Sequence, residues 1–370
     1  VNYSSIDFEN SSVLVTGGGG SIGSELCKQL MELKIDNLVI ADNSEYNLYN
    51  IDNTLKKNNY KINIFSTAIN NFVYALQFLT KHNFVKASKI NAEMHYNRGE
   101  DIYDWMLDSE HRQYSCGLFK SREESLEKAQ TNKLSHIVKK LNLKPGNRVL
   151  DIGCGWGGLS RFIAKEVGCE VHGISLASNQ IDYCKKKAKE LNLDNQVSFE
   201  LCDYRNIKGK FQRIVSVGAF EHFGKKFYKT FFKKVKDIMT DDGICLLHTI
   251  GSVDAPGPVQ PFIQKYIFPG GIIPSLSDMA KPIEKTGLIL SDCETLIHHY
   301  DKTLKAWLDR FMKNKHRAKF MYDKEFVRMW EFYLASCSAA FKFRDLVVYQ
   351  LQLVKNFTAT PSNRRNYIYQ

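Results

Sequence analysis

Apolar residues along this chain come in two textures. Short continuous runs bounded by Gly, Asp or Asn alternate with longer stretches whose apolar positions recur every three or four residues. The first texture is that of a strand buried on both faces, the second that of an amphipathic helix. Between residues 11 and 58 the order is SVLVTG, a helical pattern from Ser21 to Leu33, NLVIAD, and a second helical pattern SEYNLYNIDNTLKK. That predicts a β-α-β fragment closed by one more helix. A polar stretch of weak periodicity follows, from about Asn59 to Lys89. MHYNRGEDIYDWML is aromatic and loop-like, and helical periodicity resumes in SLEKAQTNKLSHIVKKL. From Arg148 to about Asp292 the runs RVLDIG, CEVHGISL, VSFELCD, FQRIVSVG and GICLLHTIG are separated by helical stretches. Alternation of this kind predicts a mostly parallel sheet with helices on both faces. Leu304 to Phe341 reads as helical and rich in aromatics.

Composition narrows the setting. With 370 residues, 44% hydrophobic and 25% charged, the chain has the make-up of a folded α/β protein of two domains. No window reaches the roughly 18 uninterrupted apolar residues of a membrane span. VNYSSIDFEN lacks the basic-then-apolar layout of a secretory signal, so a cytoplasmic location is expected. Nine cysteines are scattered without a CxxC pair or zinc spacing, which predicts reduced thiols and no metal site. The net charge of +11 points to a polyanionic partner. Groups such as KKFYKTFFKKVK and RFMKNKHRAK fit a solvated helix face, yet the interleaved aromatics also suit a lipid headgroup interface. No Asn/Asp-Pro-Pro-Tyr motif of nucleic-acid methyltransferases is present, and no nucleic-acid partner is expected.

Two glycine-rich turns carry candidate chemistry. In DIGCGWGG, Gly153, Gly155 and Gly157 let backbone approach a ligand, while Asp151 ends the preceding strand with a carboxylate. A pyrophosphate would be repelled there, whereas the amino group and sulfonium of S-adenosylmethionine (SAM) would be welcome. GISLASNQ ends the next strand with hydroxyl and amide groups able to reach a ribose, and Asp203 stands where a carboxylate could accept from an adenine amino group.

These residues belong to a wider pattern. From about Met94 onward the chain resembles the cyclopropane-fatty-acyl-phospholipid synthases, through YSCGLF, VLDIGCGWGGL, FEHFG, LLHTIG, YIFPGGIIPSL, HHYDKTLKAWLDRF and YLASCSAAFKFRDL. The resemblance implies a class I SAM-dependent methyltransferase fold, Rossmann-like, with a seven-stranded mostly parallel sheet. It implies transfer of a methylene group from SAM to the cis double bond of an unsaturated phospholipid acyl chain at a membrane surface, with bound bicarbonate as base. It also implies residue roles. Cys116, Glu221, His248 and Tyr300, with Ile250 through its backbone, would hold the bicarbonate, and Cys337 is expected to be structural. Tyr114 and Ser115 would approach the methionine moiety. Asp151, Gly153, Cys154, Gly155, Trp156, Gly157 and Gly158, then Ser175, Leu176, Asn179 and Gln180, then Asp203 and Tyr204, would line the cofactor. Lipid-facing helical insertions are expected over about 255–345, peripheral attachment at the inner face of the cytoplasmic membrane, and a homodimer is compatible with the pattern. Asn97, Glu100 and Ala219 depart from the family's usual residues. Alternative outcomes are a methyl-branched lipid, an N-methylated amine, or an inactive fusion that only binds nucleotide cofactor.

The other turn, TGGGGSIG, supplies Gly17, Gly20 and Gly23 after a strand, with Asp42 ending the next strand. This start resembles NAD-binding nucleotide-sugar dehydratases of the extended short-chain dehydrogenase type. The resemblance fades near residue 58, and the Tyr-x-x-x-Lys spacing at Tyr183 and Lys187 falls on a helix of the SAM domain, a coincidence and not the pair of those enzymes. A vestigial loop is therefore expected, without NAD binding. The domain division reads as a truncated fragment (1–58), a linker (59–93) and the SAM-dependent domain (94–370).

Overall fold

The computed structural model describes residues 11–33, 35–42, 45–56, 62–65, 100–362 and 365–369. The chain divides into two compact units, Val1–Thr80 and Lys81–Gln370. The expected boundaries near residues 58 and 93, and the departure at Asn97, lie outside the described residues.

In the first unit, strands β1 (Ser12–Thr16), β2 (Asn37–Ala41) and β3 (Ile62–Phe65) form a parallel sheet in that order, with helices α1 (Ser21–Glu32) and α2 (Glu45–Lys56). Cys27, Leu30, Leu38, Ile40, Leu48, Ile51 and Leu55 make its core. β3 corrects the two-strand expectation and falls inside the stretch read as linker. Its four residues INIF are too short to stand out from polar neighbours, and it pairs along the free edge of β2. Among the described residues of this unit, Leu14, Ile22, Leu26 and Leu33 are exposed.

The second unit opens with α3 (Glu100–Met106) and α4 (Leu126–Lys140). Then β4 (Arg148–Ile152), α5 (Gly158–Val167), β5 (Glu170–Ser175), α6 (Ser178–Glu190), β6 (Val197–Leu201), β7 (Phe211–Val217), α7 (Tyr228–Ile238) and β8 (Met239–Ser252) alternate. The chain continues through α8 (Leu276–Thr286), β9 (Ile289–Leu296), α9 (His299–Lys313), α10 (Lys315–Met321), α11 (Lys324–Phe343) and β10 (Leu346–Val354), ending in α12 (Asn366–Tyr369). Seven strands lie in the order β6-β5-β4-β7-β8-β10-β9, and only β10 runs against its neighbours. Alternate residues of one strand face opposite cores: Leu150 packs with α7 and α8, Val149 with α4, α5 and α6. Both sheet faces are thus covered, as expected.

The lysine-rich run around α7 turns out to be a core helix. Tyr228, Phe231, Phe232, Val235 and Ile238 repeat at three- and four-residue spacing and are buried, leaving the lysines outside. Its aromatics are therefore core and not a lipid interface. Helices α9 to α11 leave the sheet after β9 and return into β10, forming a cap whose aromatic residues pack in a third cluster with Tyr114, Cys116 and Ile250. Among the described residues no helix is long and apolar enough to cross a membrane.

Candidate active site

The strand order reverses between β4 and β7, because β5 and β6 lie to one side of β4 and β7 to the other. A crevice opens at such a switch point, beyond the carboxyl ends of the strands. Here it is lined by Asp151–Trp156 after β4, Ile174–Leu176 after β5, Cys202–Arg205 after β6 and Val217–Ala219 after β7. The turn after β4 needs its glycines. Gly153, Gly155 and Gly157 have φ of 79°, 54° and 72°, the left-handed region that side chains resist. A Cβ on Gly153 would stand 2.5 Å from that of Ala219.

Of the residues expected at a cofactor, Tyr114, Ser115, Asp151, Gly153, Cys154, Gly155, Trp156, Ser175, Leu176, Gln180, Asp203 and Tyr204 line the crevice. Gly157, Gly158 and Asn179 do not. Gly157 is bare because Cys184 and Phe199 crowd it, and Gly158 because the His111 carbonyl does. The Asn179 amide oxygen instead accepts from Gln180 N–H. Ser175 donates to Gln180 Oε1 at 2.9 Å. Asp203 receives a bidentate contact from Arg205 at 2.8 and 2.7 Å, which fixes the carboxylate at the crevice wall.

Asp151 is buried, accepts from Ser160 Oγ at 2.6 Å, and is pushed up to about 6 by that burial. Lys133 offsets its charge. This lysine, fully buried on α4, donates to Gln113 Oε1 at 2.6 Å and Ser115 Oγ at 2.8 Å. Desolvation brings it down to about 7 against the pull of Asp108, Cys116 and Asp151. Sequence reading missed Lys133 and its partner Gln113, because a lysine in an amphipathic helix reads as surface. It also missed Arg112, whose guanidinium lies 3.9 Å over Trp156 and pairs with Asp104, and the crevice residue His222, which burial brings down to about 4.

A second set of groups lies on the cap side. Glu221, in the short turn after β7, is buried and pushed up to about 7 by desolvation. Its Oε1 accepts from Ile250 N–H at 2.6 Å, while Oε2 is buried with no hydrogen-bond partner among the described residues. Ile250 therefore donates to Glu221 in this arrangement, and an anion would receive that N–H only after Glu221 turned away. His248, two residues earlier on the same face of β8, is held well below its usual pKa, first by burial and then by Lys133 and Lys140. Gln350 Nε2 meets its Nδ1 at 3.1 Å, which puts the imidazole proton on Nε2. Cys116, Ile250, Tyr300 and Cys337 share the cap cluster. Burial pushes both thiols up to about 12, so they stand as neutral S–H groups. Tyr114 and Tyr333 join hydroxyls at 2.9 Å, and Trp307 lies 5.1 Å from the Tyr114 ring and 5.9 Å from that of Tyr300. An enclosure of packed aromatic rings thus adjoins the crevice, sharing Tyr114 and Trp156 with its lining.

In the first unit Gly17 (φ 71°) and Gly20 form the turn, and Gly23 packs against the Gly17 carbonyl. Asp42 Oδ2 accepts from Gly19 N–H at 2.9 Å.

A family model described as mycolic acid cyclopropane synthetase matches residues 84–351. The chain belongs to that family. The chain is 41% identical over 266 residues to cyclopropane-fatty-acyl-phospholipid synthase of Escherichia coli, covering 72% of this chain and 68% of that one. It resembles the solved cyclopropane synthase MmaA2 of Mycobacterium tuberculosis at 32% identity and a TM-score of 0.68, over 72% of this chain and 97% of that one. Mycolic acid cyclopropane synthase CmaA1, solved with S-adenosylhomocysteine (SAH) and CTAB, matches at 29% identity and the same score and coverage. Fold and family together make the chain a SAM-dependent methyltransferase of class I architecture. A second family, described as polysaccharide biosynthesis protein, matches residues 13–91, so that likeness runs past residue 58.

Proposed function

We propose that residues 94–370 of this chain transfer a methylene group from SAM to the cis double bond of an unsaturated phospholipid acyl chain, closing a cyclopropane ring with bound bicarbonate as base. The observation that supports the reading is Glu221, a buried carboxyl set in sequence between the crevice residues Ala219 and His222 and hydrogen-bonded to Ile250 of the cap cluster.

SAM, when bound, supplies an electrophilic methyl carbon. The turn Gly153–Trp156, with Ser175, Gln180 and Asp203, would hold it, and Asp151 offers its carboxylate to the amino group. An alkene is a weak nucleophile, so the enclosure must align it and exclude water. The faces of Tyr114, Tyr300, Trp307 and Tyr333 lower the energy of the positive charge that develops on the acyl carbon. Ring closure then requires loss of one proton from the added carbon to the bicarbonate, whose O–H Glu221, with a pKa near 7, would accept and relay. A small oxyanion would draw on the His248 imidazole, the Tyr300 hydroxyl and the Cys116 thiol, which here donates to Gly117 O, as donors, with the Glu221 carboxyl as acceptor. The substrate puts the enzyme peripherally at the inner face of the cytoplasmic membrane.

The test is to incubate the purified chain with SAM, bicarbonate and monounsaturated phospholipid vesicles, following acyl mass and NMR. A gain of one CH₂ with ring-proton signals, lost in Glu221→Ala, is the expected result. A methyl-branch signal in place of ring protons, or unchanged lipids despite SAH binding, would refute cyclopropanation.

A further inference from the structure

Most of the cap's aromatics face inward, but its outer corner does not. Helix α10, sequence KHRAKFM, buries only Ala318. Phe320 is 91% exposed, more than any other large hydrophobic residue among those described, and Met321 beside it is 47% exposed. Six lysines and arginines, Lys313, Lys315, Arg317, Lys319, Lys324 and Arg328, stand against Asp323 and Glu325 between residues 313 and 328, a net charge of +4. Lys315 is partly engaged with Glu331 at 3.1 Å. Lys313, Arg317, Lys319, Lys324 and Arg328 are exposed.

An exposed phenylalanine and methionine ringed by cations is costly in water and complementary to a bilayer with anionic headgroups. There the apolar pair enters the acyl region and the cations meet phosphate. A second observation ties the corner to the chemistry. Tyr322, directly after α10, stacks on Phe326 at 4.5 Å, Phe326 on Trp330 at 5.6 Å, and Trp330 meets Tyr333 at 5.3 Å. Tyr333 reaches Tyr114 on the crevice wall through their hydroxyls. One file of aromatic rings therefore runs from the corner to the cofactor crevice.

We infer that α10 and the start of α11 form the foot by which this enzyme docks on an anionic membrane, Phe320 and Met321 entering the bilayer and Lys319 and Lys324 binding its headgroups. The inference rests on the lipid reading of the active site, and its test separates the two. Co-sedimentation with vesicles of phosphatidylglycerol, against pure phosphatidylcholine, is measured without SAM. It compares wild type, Phe320→Ser/Met321→Ser and Lys319→Glu/Lys324→Glu, with near-UV circular dichroism confirming the fold. Methylation of the same lipid dispersed in detergent is measured in parallel.

The expected result is preferential binding of wild type to the anionic vesicles. Each double variant should lose at least about tenfold in partition, since one cation near such a surface is worth roughly fivefold. Turnover of detergent-dispersed lipid should be unchanged. Equal partition of all three proteins overturns the inference. So does a fall in oligomeric mass in the Phe320→Ser/Met321→Ser variant, which would make the foot an interface between copies, or a loss confined to duplex DNA binding. If wild type converts no lipid even in detergent, the cyclopropanation reading fails, while the sedimentation result still decides the foot.

Discussion

Glu221→Gln isolates the thermodynamic cost of the buried carboxyl. Glutamine keeps the carbonyl oxygen that accepts from Ile250 N–H at 2.6 Å, and it removes only the ionisation. Burial raises this carboxyl from 4.5 to about 7. Between those pH values the folded protein holds the proton more tightly than the unfolded chain. Stability is therefore intact below pH 4.5 and is lost as pH rises toward 7. At about 1.4 kcal/mol per pH unit, the loss approaches about 3 kcal/mol by pH 8. The glutamine variant has no such loss, so its stability relative to wild type should grow by up to that amount between pH 4.5 and pH 8. Urea unfolding followed by tryptophan fluorescence reads the correct unit, because Trp105, Trp156, Trp307 and Trp330 all lie in Lys81–Gln370. Turnover should fall by about a hundredfold or more. Parallel pH profiles for the two proteins would refute the reasoning, as would a variant less stable than wild type at pH 8.

Two further substitutions probe the crevice. Gly153→Ala places a side chain in left-handed backbone against Ala219, so calorimetric titration with SAH should show affinity weaker by at least about tenfold, the strain alone being roughly 1–2 kcal/mol. Lys133→Met leaves Gln113 Oε1 and Ser115 Oγ without their donor. KM for SAM should rise about tenfold while kcat changes less, and a kcat loss at constant KM would contradict a positioning role.

The strand-turn-helix around Asp151 was legible because it obeys local rules. A fully apolar run ends at glycines whose backbone only glycine readily adopts, and the ligand-facing positions follow from the topology. Long-range pairing hid the rest. β10 carries Gln350 and Gln352 at wholly buried positions, and a strand so marked does not read as core. Gln350 Nε2 meets His248 Nδ1, and Gln352 Nε2 donates to the Tyr367 hydroxyl. β9, ILSDCETL, looks like a loop until Asp292 and Glu294 meet Lys140 and His136 of α4 and Arg365 near the C-terminus. The same blindness concealed Lys133, whose partners lie 18 and 20 residues away. Motif order named Cys116, Ile250 and Tyr300 together and all three join the cap cluster, but no motif carries the hydrogen bond by which Glu221 already claims Ile250 N–H.

The cap leaves and rejoins the sheet at neighbours, since Leu296 of β9 pairs with Val348 of β10. Everything between them is a single excursion with both ends pinned side by side, and the crevice turns after β4 to β7 lie outside it. On the proposed function, the unit Lys81–Gln370 is thus built as a donor half and an exchangeable acceptor cassette, spliced at residues 297 and 346. Tyr300 and Cys337 travel with the cassette, whereas Glu221, His248 and Ile250 stay behind. A lineage could change the molecule it alkylates by rewriting one contiguous stretch of gene, keeping the donor chemistry untouched.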